Sequence, residues 1–229
     1  MPTRPHRPIT SSEAQSVGEL DLSTPFMVCA NRPLDSLFQQ RVSPHCDERP
    51  QGVLPELIVI HGISLPPGKF GGAWIDDLFL GRLDAAAHPY FAEIAHLRVS
   101  AHLLIRRDGG VTQYVPFHLR AWHAGVSSFA GRAGCNDFSM GIELEGTDEI
   151  PYTEAQYAKL AEVIAALSAA YPSLRAIAGH EDIAPGRKTD PGASFVWAHL
   201  AALLQHEAVA VQSGIGEARL MLTSAQYSD

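Results

Sequence analysis

The stretch ELIVIHGI, residues 56–63, sets an unbroken run of apolar and mostly β-branched residues directly before His61. A short run of this kind predicts a buried β-strand. The next segment, SLPPGKFGG at residues 64–72, contains two prolines and three glycines and therefore predicts a loop. The predicted fold is thus built around a buried strand that ends at a histidine, a place where functional groups often gather.

Three further segments predict strands. Residues 100–117 have the pattern of a hairpin, because two apolar runs flank the tight-turn sequence DGG at residues 108–110. Residues 139–146, SMGIELEG, alternate between apolar and acidic side chains as a strand does. Residues 176–180, AIAGH, predict a short strand. Two of the predicted strands therefore end at a histidine that opens a loop containing proline and glycine.

Two segments predict helices. Residues 152–172 carry apolar side chains at helical spacing, which gives the segment one apolar face. Thr153 and Gln156 have the spacing of a capping box at its start, and Pro172 ends it. Residues 194–211, SFVWAHLAALLQHEAVAV, predict a final helix. Helical and strand segments thus occur in the same chain.

The composition indicates a folded, acidic protein. The chain has 229 residues, of which 46% are apolar, and a formal net charge of −8. This length suits one domain of generous size or two small ones, and the apolar share is sufficient for a core. The acidic balance argues against nucleic acid as a partner, because nucleic-acid binding requires a basic face.

Cysteine usage and the N-terminal sequence bear on location. The three cysteines, Cys29, Cys46 and Cys135, form no CxxC motif, and their odd number implies no disulfide framework. A reducing cytosol is therefore expected. The polar N-terminal residues lack the apolar run of a signal peptide, and no stretch approaches the roughly 20 apolar residues of a membrane span. We expect a cytoplasmic protein without a membrane partner.

The two strand-end histidines, His61 and His180, suggest a shared site. Asp190 follows His180 by ten residues in the loop AGHEDIAPGRKTDPG, residues 178–192, which is long enough to fold back toward the same point. Two histidines and a carboxylate form a ligand set that suits zinc, with a fourth position left for water. From spacing alone, each histidine could equally be a core residue bonded to backbone, and Asp190 could form an Asx-turn.

A zinc hydrolase also needs a general base and a group that stabilises the oxyanion. Glu143 and Glu145 lie on the same face of the predicted strand at residues 139–146, and periodicity does not choose between them as the base. Lys188, two residues before Asp190, could neutralise an oxyanion. A solvated surface lysine is the alternative for that position.

Five blocks of the sequence resemble the AmpD-type N-acetylmuramoyl-L-alanine amidases. In order along the chain, from about residue 41 to residue 197, they are VIHGISLPPGKFGG, HPYFAEIAHLRVSAHLLIRRDGG, AWHAGVS, CNDFSMGIELEGTD and GHEDIAPGRKTDPG. The resemblance implies hydrolysis of anhydro-muropeptides during peptidoglycan recycling by a protein that we expect to be a monomer. It also implies an α/β fold, with a mixed central β-sheet flanked by helices and zinc at the floor of a groove.

The resemblance assigns roles to single residues. It places the zinc ligands at His61, His180 and Asp190, the general base at Glu143 and the oxyanion-stabilising lysine at Lys188. Contacts to the substrate are implied for three further side chains: Tyr90, Arg98 and Trp122. We expect a zinc amidase domain at residues 41–207 and a C-terminal tail at 208–229. The N-terminal extension at 1–40 lies outside the resemblance, and we expect it to be partly disordered, over residues 1 to about 20.

Two positions depart from the family pattern, in which asparagine follows the first histidine and arginine precedes the cysteine of CNDF. This chain has Gly62 and Gly134 there, and both positions contact substrate in the family. His102 and His123 are candidates for supporting the site without binding the metal.

Two other functions are weighed against the amidase. A binding module of the same fold that recognises muropeptide without cleaving it is disfavoured, because such members typically lose a ligand and all three are present here. A periplasmic enzyme that acts on the intact cell wall would need an export signal, and none is visible.

Overall fold

The structure, a computed structural model, describes residues 28–29, 32–33, 38–212 and 221–222 of the chain, with side chains from residue 38 to residue 205. Its strands are β1 (Val28–Cys29), β2 (Arg32–Pro33), β3 (Gln39–Gln40), β4 (Cys46–Glu48), β5 (Leu57–Ile63), β6 (Leu103–Ile105), β7 (Val111–Gln113), β8 (Leu119–Ala121), β9 (Ser128–Phe129), β10 (Arg132–Ala133), β11 (Ser139–Glu145), β12 (Ala176–Gly179) and β13 (Met221–Leu222). Its helices are α1 (Trp74–Phe79), α2 (Pro89–Ile94), α3 (Glu154–Ala170), α4 (His180–Ile183) and α5 (Trp197–Gln212), with a 3₁₀ turn at Cys135–Asp137.

Seven of these strands form one mixed β-sheet in the order β13-β12-β5-β11-β6-β7-β3. Its neighbouring strands run parallel, except for the antiparallel hairpin of β6 and β7. β5 and β11 lie at the centre and pair along their full length, with Glu143 opposite His61. The carboxyl ends of β12, β5 and β11 therefore meet at one edge of the sheet, where ligands bind in sheets of this kind.

Both faces of β5 are buried, which explains its unbroken apolar sequence. Ile58 and Ile60 belong to the apolar cluster that includes α3 and α5, whereas Leu57 and Val59 pack into a separate cluster. Successive side chains of a strand point to opposite faces, so this division follows directly from the sequence order. A third cluster joins Leu104 of β6 and Tyr114, which follows β7, with α1 and α2 residues, among them Ile75, Phe79 and Phe91.

The start of α3 is the predicted capping box. The Thr153 hydroxyl accepts a hydrogen bond from the Gln156 backbone N–H at 3.2 Å, and the Gln156 side-chain oxygen accepts one from the Thr153 N–H at 3.1 Å. The Gln156 amide also donates to the carbonyl oxygens of Ile105 and Glu145, at 3.3 and 3.0 Å. The cap therefore fixes the helix to the ends of β6 and β11.

The structure confirms the predicted mixed sheet flanked by helices, and it confirms the strands, the hairpin and the first helix within it. The final helix begins at Trp197 rather than at residue 194, because residues 192–195 form a turn closed by the Phe195 N–H and the Gly192 oxygen at 3.0 Å. No pattern in the sequence predicts α1, α2 or α4. Each has six residues or fewer, which is too short to show a helical period.

The segments outside residues 41–207 also contribute to the sheet. β3 precedes that range and pairs with β7 at one edge, and β13 follows it and pairs with β12 at the other. The limits of the domain stay a prediction, and the lead of about 20 residues predicted to be disordered lies outside the described residues. Within the described part of the chain, no helix is both long and apolar enough to cross a bilayer.

Candidate active site

His61, His180 and Asp190 converge at the carboxyl edge of the sheet. His61 lies near the end of β5, and His180 directly follows β12, which is the parallel neighbour of β5. The His61 Nδ1 atom lies 2.9 Å from His180 Nδ1, and the Asp190 Oδ2 atom lies 3.3 Å from the first nitrogen and 3.1 Å from the second. One oxygen and two nitrogen atoms thus form a compact triangle.

The triangle has the size and chemistry of a zinc site. Tetrahedral zinc binds ligands at about 2.0–2.2 Å, which places those ligands about 3.3 Å apart. Burial lowers the pKa of His61 to about 4, so its ring is neutral as a ligand must be. Burial opposes ionisation of Asp190, but the adjacent His180 and His61 rings outweigh it and hold the carboxyl pKa well below its usual value. The donor set therefore fits a divalent cation.

Glu143 lies beside this triangle on β11. The residue is 9% exposed, and its buried Oε2 atom has no hydrogen-bond partner within the described residues. Burial and the nearby Asp190 raise the pKa of Glu143 well above its usual value, against the opposing effect of Lys188. Buried oxygen atoms normally have a hydrogen-bond partner. Glu143 instead lines the cleft described next.

Glu145 lies two residues further along β11, and both of its carboxylate oxygens accept hydrogen bonds. Its Oε1 atom accepts from the Gly71 backbone N–H at 2.6 Å and from the Arg106 guanidinium at 3.0 Å, and its Oε2 atom accepts from the Arg107 N–H at 3.3 Å. The side chain is 2% exposed. Glu145 therefore anchors the loop after β5, which leaves Glu143 as the free carboxylate of the pair.

A cleft of about 680 Å³ lies over the triangle. Its floor contains His61, Glu143, His180 and Asp190, and the exposed Lys188 also borders it. One apolar wall is lined by Tyr90, Ile94, Leu97 and Val99, and residues 146–150 also line the cleft. The cleft has the size of a small-molecule or peptide site, and its polar groups converge on one point.

Comparison with known proteins agrees with this geometry. The family model described as N-acetylmuramoyl-L-alanine amidase matches residues 51–193, a range that contains all five of these polar residues. The chain belongs to the N-acetylmuramoyl-L-alanine amidase family. The amidase class that the sequence implied is therefore confirmed, and the AmpD relatives described next confirm the resemblance to that type.

Named relatives and a solved structure cover most of the chain. It is 63% identical over 166 residues to the 1,6-anhydro-N-acetylmuramyl-L-alanine amidase AmpD of Escherichia coli (strain K12), covering 72% of this chain and 91% of that protein. Identity to the protein of the same name from Citrobacter freundii is 64% over 163 residues, covering 71% and 87%. A crystal structure of a selenomethionine derivative of AmpD superposes with a TM-score of 0.73 at 62% identity, covering 74% of this chain and 95% of that one.

The three predicted substrate-contacting residues lie in two places. Tyr90 lines the apolar wall of the cleft. The exposed Arg98 guanidinium lies 5.2 Å from the centre of the Trp122 ring, a cation–π arrangement, and Trp122 donates from its ring N–H to Asp47 at 3.0 Å. Arg98 and Trp122 are not among the described residues that line the cleft, although Val99, next to Arg98 in the chain, does line it.

The two departures from the family pattern differ in position. Gly62 lines the cleft and directs its N–H toward Asp190 Oδ2 at 3.4 Å. A Cβ atom added there would lie 2.4 Å from the Tyr152 hydroxyl, so a side chain at this position requires that ring to move. Gly134 has a φ of 75°, in the left-handed region that favours glycine, and does not belong to the described lining of the cleft.

His123 and His102 have different roles in the core. The His123 Nδ1 atom lies 2.9 Å from His61 Nε2, so this ring contacts a ligand of the triangle directly. His102 instead accepts from the Gly141 N–H at 3.0 Å and lies 3.1 Å from the Leu119 oxygen, which makes it a backbone-bonded core histidine. Both histidines were equal candidates before the structure, because the difference between them depends on packing between distant segments.

Proposed function

We propose that this chain is a zinc-dependent amidase that hydrolyses the amide bond between 1,6-anhydro-N-acetylmuramic acid and L-alanine in muropeptides. The observation that carries the proposal is the triangle of His61, His180 and Asp190 beside the unpaired Oε2 of Glu143 in one cleft. The names of the AmpD relatives support the choice of substrate.

His61, His180 and Asp190 would hold the zinc ion. When bound, zinc would supply Lewis acidity that polarises the scissile carbonyl and lowers the pKa of water toward neutrality. Glu143 would take a proton from the attacking water at its unpaired oxygen and return it to the leaving amine. The Lys188 ammonium would stabilise the negative charge that develops on the carbonyl oxygen.

The reaction adds one water across one bond. The C–N bond between the lactyl carbonyl and the alanine nitrogen breaks, the carbonyl carbon gains the hydroxyl and becomes a carboxylate, and the nitrogen becomes the free amine of the stem peptide.

We propose that Tyr90, Arg98 and Trp122 contact the muropeptide, with Tyr90 acting from the apolar wall of the cleft. A cytoplasmic location, a role in peptidoglycan recycling and a monomeric state are further parts of the proposal, for which cell fractionation, labelled muropeptide uptake and light scattering are the tests.

Incubation of the chain with a purified anhydro-muropeptide tests the function directly. Mass spectrometry of the products should show two species, the anhydro-sugar moiety with a new carboxylate and the intact stem peptide with a free N-terminus. Tight binding without any product would support the alternative, a non-catalytic muropeptide-binding module of the same fold. Cleavage at any other bond would contradict the proposal.

A further inference from the structure

We propose that residues 122–126, the segment WHAGV, form a cradle that fixes the orientation of both histidine ligands, with Ser139 and Arg187 as its positioning residues. The inference rests on the proposed zinc site. Its two positioning residues, Ser139 and Arg187, are not among the described residues that line the cleft.

The first arm of the cradle is a relay that begins at His61. The His61 Nε2 atom lies 2.9 Å from His123 Nδ1, and His123 Nε2 lies 3.1 Å from the Ser139 hydroxyl. Ser139 in turn donates to the Cys135 backbone oxygen at 2.6 Å. The members of this relay are buried, and Ser139 is 0% exposed, so each polar atom depends on its neighbour rather than on bulk water.

The Cys135 carbonyl oxygen at the end of the relay determines which atom donates in each of its hydrogen bonds. A carbonyl oxygen can only accept, so the Ser139 proton points to Cys135 and the Ser139 oxygen accepts from His123 Nε2–H. His123 Nδ1 then carries no proton and accepts from His61 Nε2–H. The proton of His61 is thereby placed on Nε2, which leaves Nδ1, the atom that faces His180 and Asp190, with a free lone pair.

The second arm acts on His180. The His180 Nε2 atom lies 3.3 Å from the Ala124 backbone oxygen and 3.4 Å from Arg187 Nη2. Because a carbonyl oxygen can only accept, the shorter contact assigns the His180 proton to Nε2, on the side away from Asp190. The Arg187 Nη2 atom donates to the same oxygen at 2.6 Å and to the Val126 oxygen at 2.8 Å. One guanidinium therefore ties the cradle to the loop that carries His180 and Asp190.

Other contacts hold the cradle in place. The Asn136 side-chain oxygen accepts from the backbone N–H groups of His123 and Ala124, at 3.1 and 2.8 Å. The His123 ring packs on Gly141 of β11, where an added Cβ atom would lie 2.5 Å from the ring. Gly125 has a φ of 57° and leaves room for Arg187. The backbone shape of the segment is thus set from several sides.

These contacts predict a measurable contribution to metal binding. A histidine ligand binds well when its tautomer and ring orientation are already fixed, and loss of a partner that fixes them typically lowers metal affinity about 10- to 100-fold. The two arms reach the two histidines through different atoms. Each arm can therefore be removed separately.

Ser139→Ala tests the first arm, with Ser168→Ala as its matched control. Both serines are buried, and each donates to a backbone oxygen, at 2.6 Å for Ser139 and 2.7 Å for Ser168. Only Ser139 reaches the relay. Zinc affinity, measured by competition with a chromophoric chelator, should fall about 10- to 100-fold in Ser139→Ala and stay at the wild-type value in Ser168→Ala. The visible spectrum of the cobalt-loaded protein should change in the first variant alone.

Arg187→Gln tests the second arm and leaves the core untouched, because Arg187 lies on the surface. We expect zinc affinity to fall about tenfold. Zinc affinity should fall similarly in Arg187→Lys, because lysine keeps the charge but cannot reach two carbonyl oxygens with one planar group. Arg132→Gln is the control, since that exposed arginine pairs with Glu56 outside the site at 3.0 Å.

The outcomes separate the cradle from a merely structural role. Unchanged zinc affinity in Ser139→Ala or in Arg187→Gln would overturn the inference for that arm, as would an equal loss in the matched control. If Ser139→Ala does not fold, Arg187→Gln decides alone. Zinc affinity is measured without substrate, so a wild-type chain that binds zinc but cleaves no muropeptide would overturn the proposed function and not the cradle.

Discussion

At the scale of single residues, Glu143 and Glu145 show how surroundings divide two identical side chains. They lie on the same strand, and both are buried. Glu145 has accepted hydrogen bonds from Gly71, Arg106 and Arg107, whereas the Oε2 of Glu143 has no partner among the described residues. A carboxylate with an unpaired oxygen can exchange a proton with a substrate or water. A carboxylate whose oxygens both accept hydrogen bonds from the protein stabilises the fold.

Glu143→Gln should therefore remove turnover and keep the metal. The amide cannot accept the proton of the attacking water, and loss of a general base typically lowers kcat about 10²- to 10⁴-fold. Zinc content should equal that of the wild type, because Glu143 is not part of the triangle. Steady-state kinetics and metal analysis of the same sample provide the check, and a variant with wild-type kcat would refute the assigned role.

Glu145→Gln should act on stability instead. The substitution leaves the Arg106 guanidinium with one carboxylate fewer in a part-buried position. Arg106 keeps its ion pair with Asp76 at 3.1 Å, so the expected cost is that of one charge-assisted hydrogen bond, about 1.5–3 kcal/mol. Urea unfolding should show this loss, while the folded fraction keeps measurable turnover. If Glu145→Gln abolished turnover at wild-type stability, the roles of the two carboxylates would have to be exchanged.

The sequence predicts site residues whose positions depend on neighbours in the chain, but not contacts between residues that are far apart in the chain. The proposed metal ligands were candidates from the sequence, because His61 lies near the end of one recognisable strand and His180 and Asp190 follow another. The resemblance supplied their roles. The choice of Glu143 came from the resemblance alone, since alternation gave Glu143 and Glu145 the same face. The contact of His123 with His61 was only a candidate, because it joins residues 62 positions apart through packing that no local pattern encodes.

At the scale of elements, the start of α3 connects a helix to the active-site edge of the sheet. Thr153 caps the helix and also donates to the Arg107 oxygen at 2.7 Å. The capping box was visible in the sequence, as were β5 and β11, because all three depend on neighbouring residues. The short helices α1 and α2 were not visible, because fewer than two turns give no periodicity.

Thr153→Ala should lower the free energy of unfolding by about 1–2 kcal/mol, the usual cost of losing a cap. Thr153→Ser is the matched variant, because serine keeps the hydroxyl and should stay close to the wild type. Chemical unfolding monitored by circular dichroism gives both values. Equal destabilisation by the two substitutions would show that the methyl group, and not the hydroxyl, matters at this position.

At the scale of the whole molecule, the proposed zinc ion would join two adjacent parallel strands, through His61 of β5 and the residues after β12. A ligand that binds only the native state stabilises it, by about 2.7 kcal/mol when its free concentration is 100 times its Kd. Zinc added to the metal-free protein should therefore raise Tm. His61→Ala should lose most of that increase, because an incomplete ligand set binds weakly. An equal increase in wild type and variant would place the zinc elsewhere.

The most direct test of the central claim is a zinc titration of the chelated protein with turnover followed on an anhydro-muropeptide. Activity should be absent without metal, rise in proportion to added zinc and level off at one zinc per chain, and His180→Ala should show no such rise. Full turnover by a protein from which all metal has been removed would contradict the account.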